Sequence, residues 1–280
     1  MVPERPNLFV LCMHKAASTF VADVLLPSIA VRTAQYDLFN VGSMVIRLRE
    51  QAQRETGAAP AWDQLNEHDK LVHCLDQRPL PVSNGLIGRL YPGHLPAIEQ
   101  ATGWRLPTAD HRLVVVRRDP RDALVSLYYS LRDSHDPRRI EGNTRVYSEA
   151  RESLQGQDVC RGIKSLLQQD GMNITTREFL ACTRLIESNP DICDLPYELL
   201  LNQPATWLAR FVTFGQLEEF VDRQWLAEMV EHLRPPVNDD PTRHKRRMRP
   251  GNWTEVFDDE MRQVVDNRIG PQMKRFGYVW

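Results

Sequence analysis

Hydrophobic positions in this chain gather into short unbroken runs separated by polar and proline-rich stretches. Leu8 to Cys12 is apolar throughout, has strand length and shows no helical period, which predicts a buried parallel strand. Similar runs occur at Gly85 to Tyr91, at Leu113 to Val116 and at Ile192 to Tyr197. Between them the apolar residues recur at helical spacing. A helix is predicted from Thr19, with Phe20 and Val24 on one face, and another from Pro120 through Tyr129. Further helices are predicted over Ile163 to Gln169, Thr176 to Ser188, Gln216 to Leu233 and Glu255 to Phe276. In the Gln216 to Leu233 segment, Leu217, Phe220, Val221, Trp225, Met229 and Leu233 form one stripe and read as core. Strand runs alternating with helices define an α/β protein built on a parallel sheet.

The turns carry the polar chemistry. Between the first strand and its helix stands MHKAAS, with Lys15 and the hydroxyls of Ser18 and Thr19. There a helix N-terminus offers unpaired N–H groups and the positive end of its dipole to an anion. A solvated lysine and a Ser18 cap would explain the same residues. The turn has no glycine and lacks a Lys followed at once by Ser or Thr, which disfavours ordinary ATP or GTP hydrolysis. His94 lies between Pro92 and Pro96, just past the second strand run, where open sheets gather ligands. After Val116 come Arg117 and Arg118, then Asp119, Pro120 and Asp122 at the N-cap, N1 and N3 positions of a helix that carries Ser126. One of the two arginines is expected to face the cleft. Late in the chain, Arg243, Lys245, Arg246, Arg247 and Arg249 form a basic cluster that reads as a solvated charge run, a nucleic-acid or membrane patch, or a loop for a multiply charged anion. Phe39, Met44, Trp62, Tyr128, Tyr129 and Tyr147 are candidate pocket lining, Arg138 and Arg139 are candidate acceptor contacts, and DPRRIEGN is the expected mobile loop.

Bulk composition narrows the class. A net charge of −2 argues against general nucleic-acid binding, and no apolar run approaches the roughly 20 residues of a membrane span. The five cysteines are odd in number and free of CxxC spacing, so reduced thiols in a cytoplasmic protein without a zinc site are expected.

Taken together, these motifs resemble the sulfotransferases that use 3′-phosphoadenosine 5′-phosphosulfate, most closely the cytosolic type and its bacterial relatives. MHKAASTF resembles that family's PKSGTTW loop, and GHLP at Gly93 to Pro96 resembles its THLP turn. VVVRRDPRDALVSLYYS resembles its 3′-phosphate strand and helix, PYELL its YED-like motif, and RRMRPGNW its RKGxxGDW loop. The matches fall in family order from Leu8 to Trp253. The resemblance implies a three-layer, P-loop-like fold, a central parallel sheet flanked by helices, in one sulfotransferase domain over 1–280. It implies 3′-phosphoadenosine 5′-phosphosulfate as donor, with adenosine 3′,5′-bisphosphate as product and no metal. Lys15 would hold the bridging oxygen and His94 would act as general base. Ala16, Ala17, Ser18 and Thr19 would cradle the 5′-phosphate, and Phe20 stands where the family stacks a tryptophan on adenine. Arg118, Ser126, Arg246 and Arg247 would bind the 3′-phosphate, and Tyr197 would touch adenine. Pro92 stands where many relatives carry a second lysine. The acceptor is left open among small molecules, sugars and lipids. The alternatives are a nucleotide-dependent kinase of related fold and a non-catalytic nucleotide-binding protein.

Overall fold

The computed structural model describes residues 5–41, 54, 67–77, 85–108, 110–134, 149, 151–168, 174–235 and 249–280. Five strands, β1 (Asn7–Cys12), β2 (Asp37–Asn40), β3 (Leu86–Leu90), β4 (His111–Val116) and β5 (Cys193–Asp194), form one sheet in the order β2-β3-β1-β4-β5. Every pairing in it is parallel. β1 is central and buried along its whole length, which is why its sequence is an unbroken apolar run rather than an alternating one. Asn7 ties the sheet together at its N-terminal end. Its Oδ1 accepts from the Leu86 N–H at 2.7 Å, and its Nδ2 donates to Nδ1 of His111 at 3.0 Å.

Because the chain leaves β1 toward β2 and β3 and then crosses back to β4, the loops after β1, β3 and β4 meet at the carboxyl edge of the sheet. Open α/β sheets bind ligands at this kind of switch point. The helix after β1 runs from Ser18 to Thr33, with a π-helical stretch at Val21–Leu25. The helix after β4, Pro120–Tyr129, is capped by Asp119, whose side chain accepts from the Arg121 N–H, with Pro120 in its first turn. A long helix at Ile174–Ser188 and a late one at Asp259–Arg275 complete the described parts used below.

Three expectations change. β2 is an additional strand, so the expected fourth strand is the fifth, and it shrinks to two residues because Tyr197 already begins the next helix. The helix expected from Gln216 begins instead at Arg223. Gln216 takes a left-handed conformation, and Asp222 caps the new start by accepting from the Trp225 N–H. Likewise the last helix starts at Asp259, behind a 3-10 turn at Asn252–Glu255. Of the expected lining residues, Phe39 is buried edge-on to Phe9 with ring centres 6.1 Å apart, and Tyr128 is fully buried. Met44, Trp62, Arg138, Arg139, Tyr147 and the DPRRIEGN loop lie outside the described residues.

Candidate active site

The turn after β1 is shaped without glycine. Lys15 and Ala17 both adopt left-handed backbone conformations, with φ of 66° and 60°, at roughly 1–2 kcal/mol of strain each. Ala17, not Ser18, is the N-cap, and it makes no side-chain capping bond. The Ser18 hydroxyl is therefore released from capping, and it accepts from Tyr91 Oη at 3.3 Å. Ala16 is buried, Thr19 is exposed in the first turn, and Phe20 is buried in the core.

Lys15 reaches across to the β4 side, where its Nζ donates to the Ser130 hydroxyl. Burial, and next the charge of Arg118, lower the Lys15 pKa to about 8. Arg118 is the arginine of the pair that turns to this loop. Its Nη1 donates to the Lys15 carbonyl at 2.7 Å, and its guanidinium lies 4.4 Å from the centre of the Tyr197 ring. Its Nε is buried with no hydrogen-bond partner among the described residues. Arg117 points the other way, pairing with Asp194 at 2.8 Å and donating to Tyr278 Oη at 2.8 Å. Successive residues of an extended chain face opposite sides, which is why adjacent arginines serve different ends.

The hydroxyl of this helical stretch that meets Lys15 belongs to Ser130, one turn beyond Ser126. Asp122 departs from its expected capping role, because its two carboxylate oxygens accept from the Gly251 N–H at 2.7 Å and the Trp253 N–H at 3.0 Å. The end of the basic loop is thereby fixed against the helix that follows Arg118. Arg246 and Arg247 lie outside the described residues.

The turn after β3 contributes Tyr91, Pro92 and His94. A 3-10 turn at Pro92–His94 folds the imidazole back so that its Nδ1 accepts the Tyr91 N–H at 3.3 Å. In the neutral ring this bond puts the proton on Nε2. Burial, then Arg89 and His14, lower the His94 pKa to about 3. In that tautomer the lone pair of His94 is on Nδ1, turned to the Tyr91 N–H. In this arrangement its free nitrogen is a donor.

Besides Tyr91, sequence reasoning passed over four residues here. His14 stacks on Tyr91 with ring centres 4.0 Å apart, and the same tyrosine meets His94 edge-on at 5.4 Å. Glu178, on Ile174–Ser188, accepts from both the backbone N–H and the Nδ1–H of His14, each at 2.6 Å. Arg89 lies 4.1 Å from the centre of the Tyr91 ring, with Nε and one terminal nitrogen buried and unpartnered among the described residues. Ser130 is the fourth. Adjacency to Lys15 was a usable signal for His14, and two-residue spacing from Tyr91 along an extended strand was one for Arg89. Nothing local marks Glu178 or Ser130.

The contacts form two groups, Lys15 with Arg118 and Tyr197, and Ser18 with Tyr91 and His94, joined along the chain by the turn after β1. Two of these side chains, Lys15 and Arg118, are cations without an ion-pair partner among the described residues.

No protein-family model and no curated protein matches the chain. Solved structures do. The mouse sulfotransferase SULT7A1 complexed with PAP matches with a TM-score of 0.57 and 12% identity, covering 96% of this chain and 84% of that one. Retinol dehydratase in a complex with retinol and PAP matches with a TM-score of 0.55 and 16% identity, over 99% of this chain and 84% of the other. The sulfotransferase STF9 from Mycobacterium avium matches with a TM-score of 0.51 and 10% identity, over 99% and 78%. The fold is that of the sulfotransferases.

Proposed function

We propose that this protein is a sulfotransferase that moves a sulfuryl group from 3′-phosphoadenosine 5′-phosphosulfate to a hydroxyl or amine of a small-molecule, sugar or lipid acceptor. The observation that carries this reading is the pairing of Lys15 with Arg118. Two like charges meet at the turn after β1, and burial together with Arg118 lowers the lysine's pKa to about 8. Desolvating two cations side by side is costly, and a bound anion offsets that cost.

The residues present fit the nucleotide donor. The orphaned Nε of Arg118 offers a donor for a phosphate oxygen beside the Tyr197 ring, whose face is 4.4 Å away. Ser18, Thr19 and the first N–H groups of the Ser18–Thr33 helix would hold the 5′-phosphate. Arg246 and Arg247 would join Arg118 at the 3′-phosphate, and adenine would rest near Phe20 and Tyr197. When bound, the donor supplies an activated sulfuryl group on a good phosphate leaving group. What the chain must then provide is in-line positioning and neutralisation of charge. Lys15 would neutralise the leaving oxygen, and the Nε2–H of His94 would donate toward charge developing at the transfer point. The retinol and androsterone bound in retinol dehydratase complexes support a small hydroxylated acceptor.

Calorimetric titration with adenosine 3′,5′-bisphosphate and with adenosine 5′-monophosphate tests the reading. Roughly tenfold or more tighter binding of the bisphosphate is expected, one charge-assisted contact being worth about that much. Equal affinities would remove the 3′-phosphate site and with it the assignment. Transfer of radiolabelled sulfate to a panel of alcohols, phenols, sugars and amines, with no dependence on added Mg²⁺, separates this activity from a kinase.

A further inference from the structure

We infer that His14, oriented by Glu178, is the general base that takes the acceptor's proton. The inference rests on the sulfuryl-transfer reading above and assigns a step within it.

A base in this reaction needs a ring nitrogen with a free lone pair. Glu178 fixes which nitrogen of His14 that is. A carboxylate only accepts, so the 2.6 Å contact puts a proton on Nδ1, and in the neutral ring Nε2 is then the lone-pair atom. The other carboxylate oxygen binds the His14 N–H at 2.6 Å, so ring and backbone are gripped together. Stacking on Tyr91 at 4.0 Å sets the plane of the ring. The result is a carboxylate–imidazole pair of the kind that orients a base and stabilises the imidazolium it becomes. Nε2 has no hydrogen-bond partner among the described residues, and the side chain keeps 25% of its surface exposed while Glu178 keeps 8%. The base is open to an acceptor and the carboxylate is not.

Position agrees with chemistry. His14 immediately precedes Lys15, the group assigned to the leaving oxygen, and shares the Tyr91 ring with His94. His94 is bound the opposite way round, its Nδ1 accepting and its Nε2 protonated. One histidine is therefore an acceptor and the other a donor, held on one aromatic ring. In the step itself, the acceptor's O–H or N–H proton passes to Nε2 of His14 as the acceptor atom bonds to sulfur. The sulfur–oxygen bond to the nucleotide phosphate breaks, and its electron pair stays on the phosphate oxygen. Glu178 remains ionised against the imidazolium. His14 is a catalytic residue in this scheme and Glu178 a positioning residue.

Two readouts test it, and one needs no acceptor. Nitrogen-15 shifts of the histidine rings in the full chain near neutral pH, alone and with adenosine 3′,5′-bisphosphate, report where each proton sits. Expected are a proton on Nδ1 of His14 and on Nε2 of His94, with the His14 pattern altered in Glu178→Gln. A proton on Nε2 of His14, or on both its nitrogens, overturns the inference. For turnover, His14→Gln should lose roughly 100- to 10,000-fold in kcat, the range for a general base, with bisphosphate affinity kept within about threefold. The loss should be large for an aliphatic alcohol and small for a phenol acidic enough to ionise unaided, a contrast a purely structural role would not produce. Unchanged turnover in His14→Gln also overturns it. Failure of the bisphosphate to bind would instead sink the sulfotransferase reading, while the ring protonation pattern still decides the assignment of His14.

Discussion

Arg118 donates from Nη1 to the backbone carbonyl of Lys15 at 2.7 Å, so the strand-end arginine supports the very turn that presents the lysine. The same guanidinium rests 4.4 Å from the Tyr197 ring centre, which ties the turn after β1 to the helix after β5. A single side chain thus braces the turn and, with its Nε buried and unpartnered among the described residues, is the group proposed to take the 3′-phosphate. The two duties separate by mutation.

Arg118→Lys keeps the charge and loses the planar fork that reaches the Lys15 carbonyl and stacks on Tyr197. Affinity for adenosine 3′,5′-bisphosphate should fall roughly tenfold or more in Arg118→Lys, and further in Arg118→Ala, by calorimetry. Affinity for adenosine 5′-monophosphate should change much less. Equal losses for the two nucleotides would mean that Arg118 acts only by bracing the turn.

Lys15 carries a linkage that calorimetry can read. Its pKa in the free protein is about 8, set by burial and by Arg118. A bound phosphate favours the charged amine and moves it back toward the ordinary lysine value of about 10.4. Below pH 8 the amine is charged with or without ligand, so affinity is flat there. Above it, binding must take up a proton, and affinity falls as pH rises. Titrations near pH 9 in buffers of different ionisation enthalpy should show proton uptake that disappears in Lys15→Met. No uptake in the wild type would contradict the assigned cause.

Ala17→Gly should stabilise the protein. A left-handed alanine costs roughly 1–2 kcal/mol, and glycine removes that strain while adding about 0.4–1 kcal/mol of unfolded-chain entropy. A net gain of roughly 0.5–1 kcal/mol is expected from urea unfolding. A loss would show that the Cβ of Ala17 makes packing contacts worth more than the strain.

Asp122→Ala strips the Gly251 and Trp253 N–H groups of their acceptor. The expected destabilisation is roughly 1–3 kcal/mol, the range for leaving a buried donor unpaired. Weaker bisphosphate binding should accompany it if the late basic loop serves the 3′-phosphate. Binding unaltered in a folded Asp122→Ala would dissociate that loop from the nucleotide.

Much of this arrangement was legible in the residues, and the limits have physical causes. β1, β3 and β4 are buried on both faces, so their apolar runs announce them, and the Asp119–Pro120 start of the following helix is written in its capping chemistry. β2 is four residues with a polar one at each end, too short for any period to register. The false extension of the Arg223–His232 helix arose because Leu217 and Phe220 continue its apolar spacing while packing from a non-helical turn. Lys15, Arg118 and His94 could be picked out because each lies just past a strand run. Glu178 and Ser130 sit within helices and reach the site only through tertiary packing, so no local pattern could mark them. The role expected of His94 rests on the resemblance of its GHLP turn, whereas its ring protonation depends on a backbone N–H three residues away.

The most direct test is a crystal structure of the protein with adenosine 3′,5′-bisphosphate. The account predicts the 5′-phosphate on the Lys15–Thr19 turn, the 3′-phosphate within hydrogen-bond reach of Arg118, and His14 and His94 lining the space beyond Lys15. A nucleotide seated elsewhere, or one whose two phosphates both lie away from Lys15 and Arg118, would contradict it.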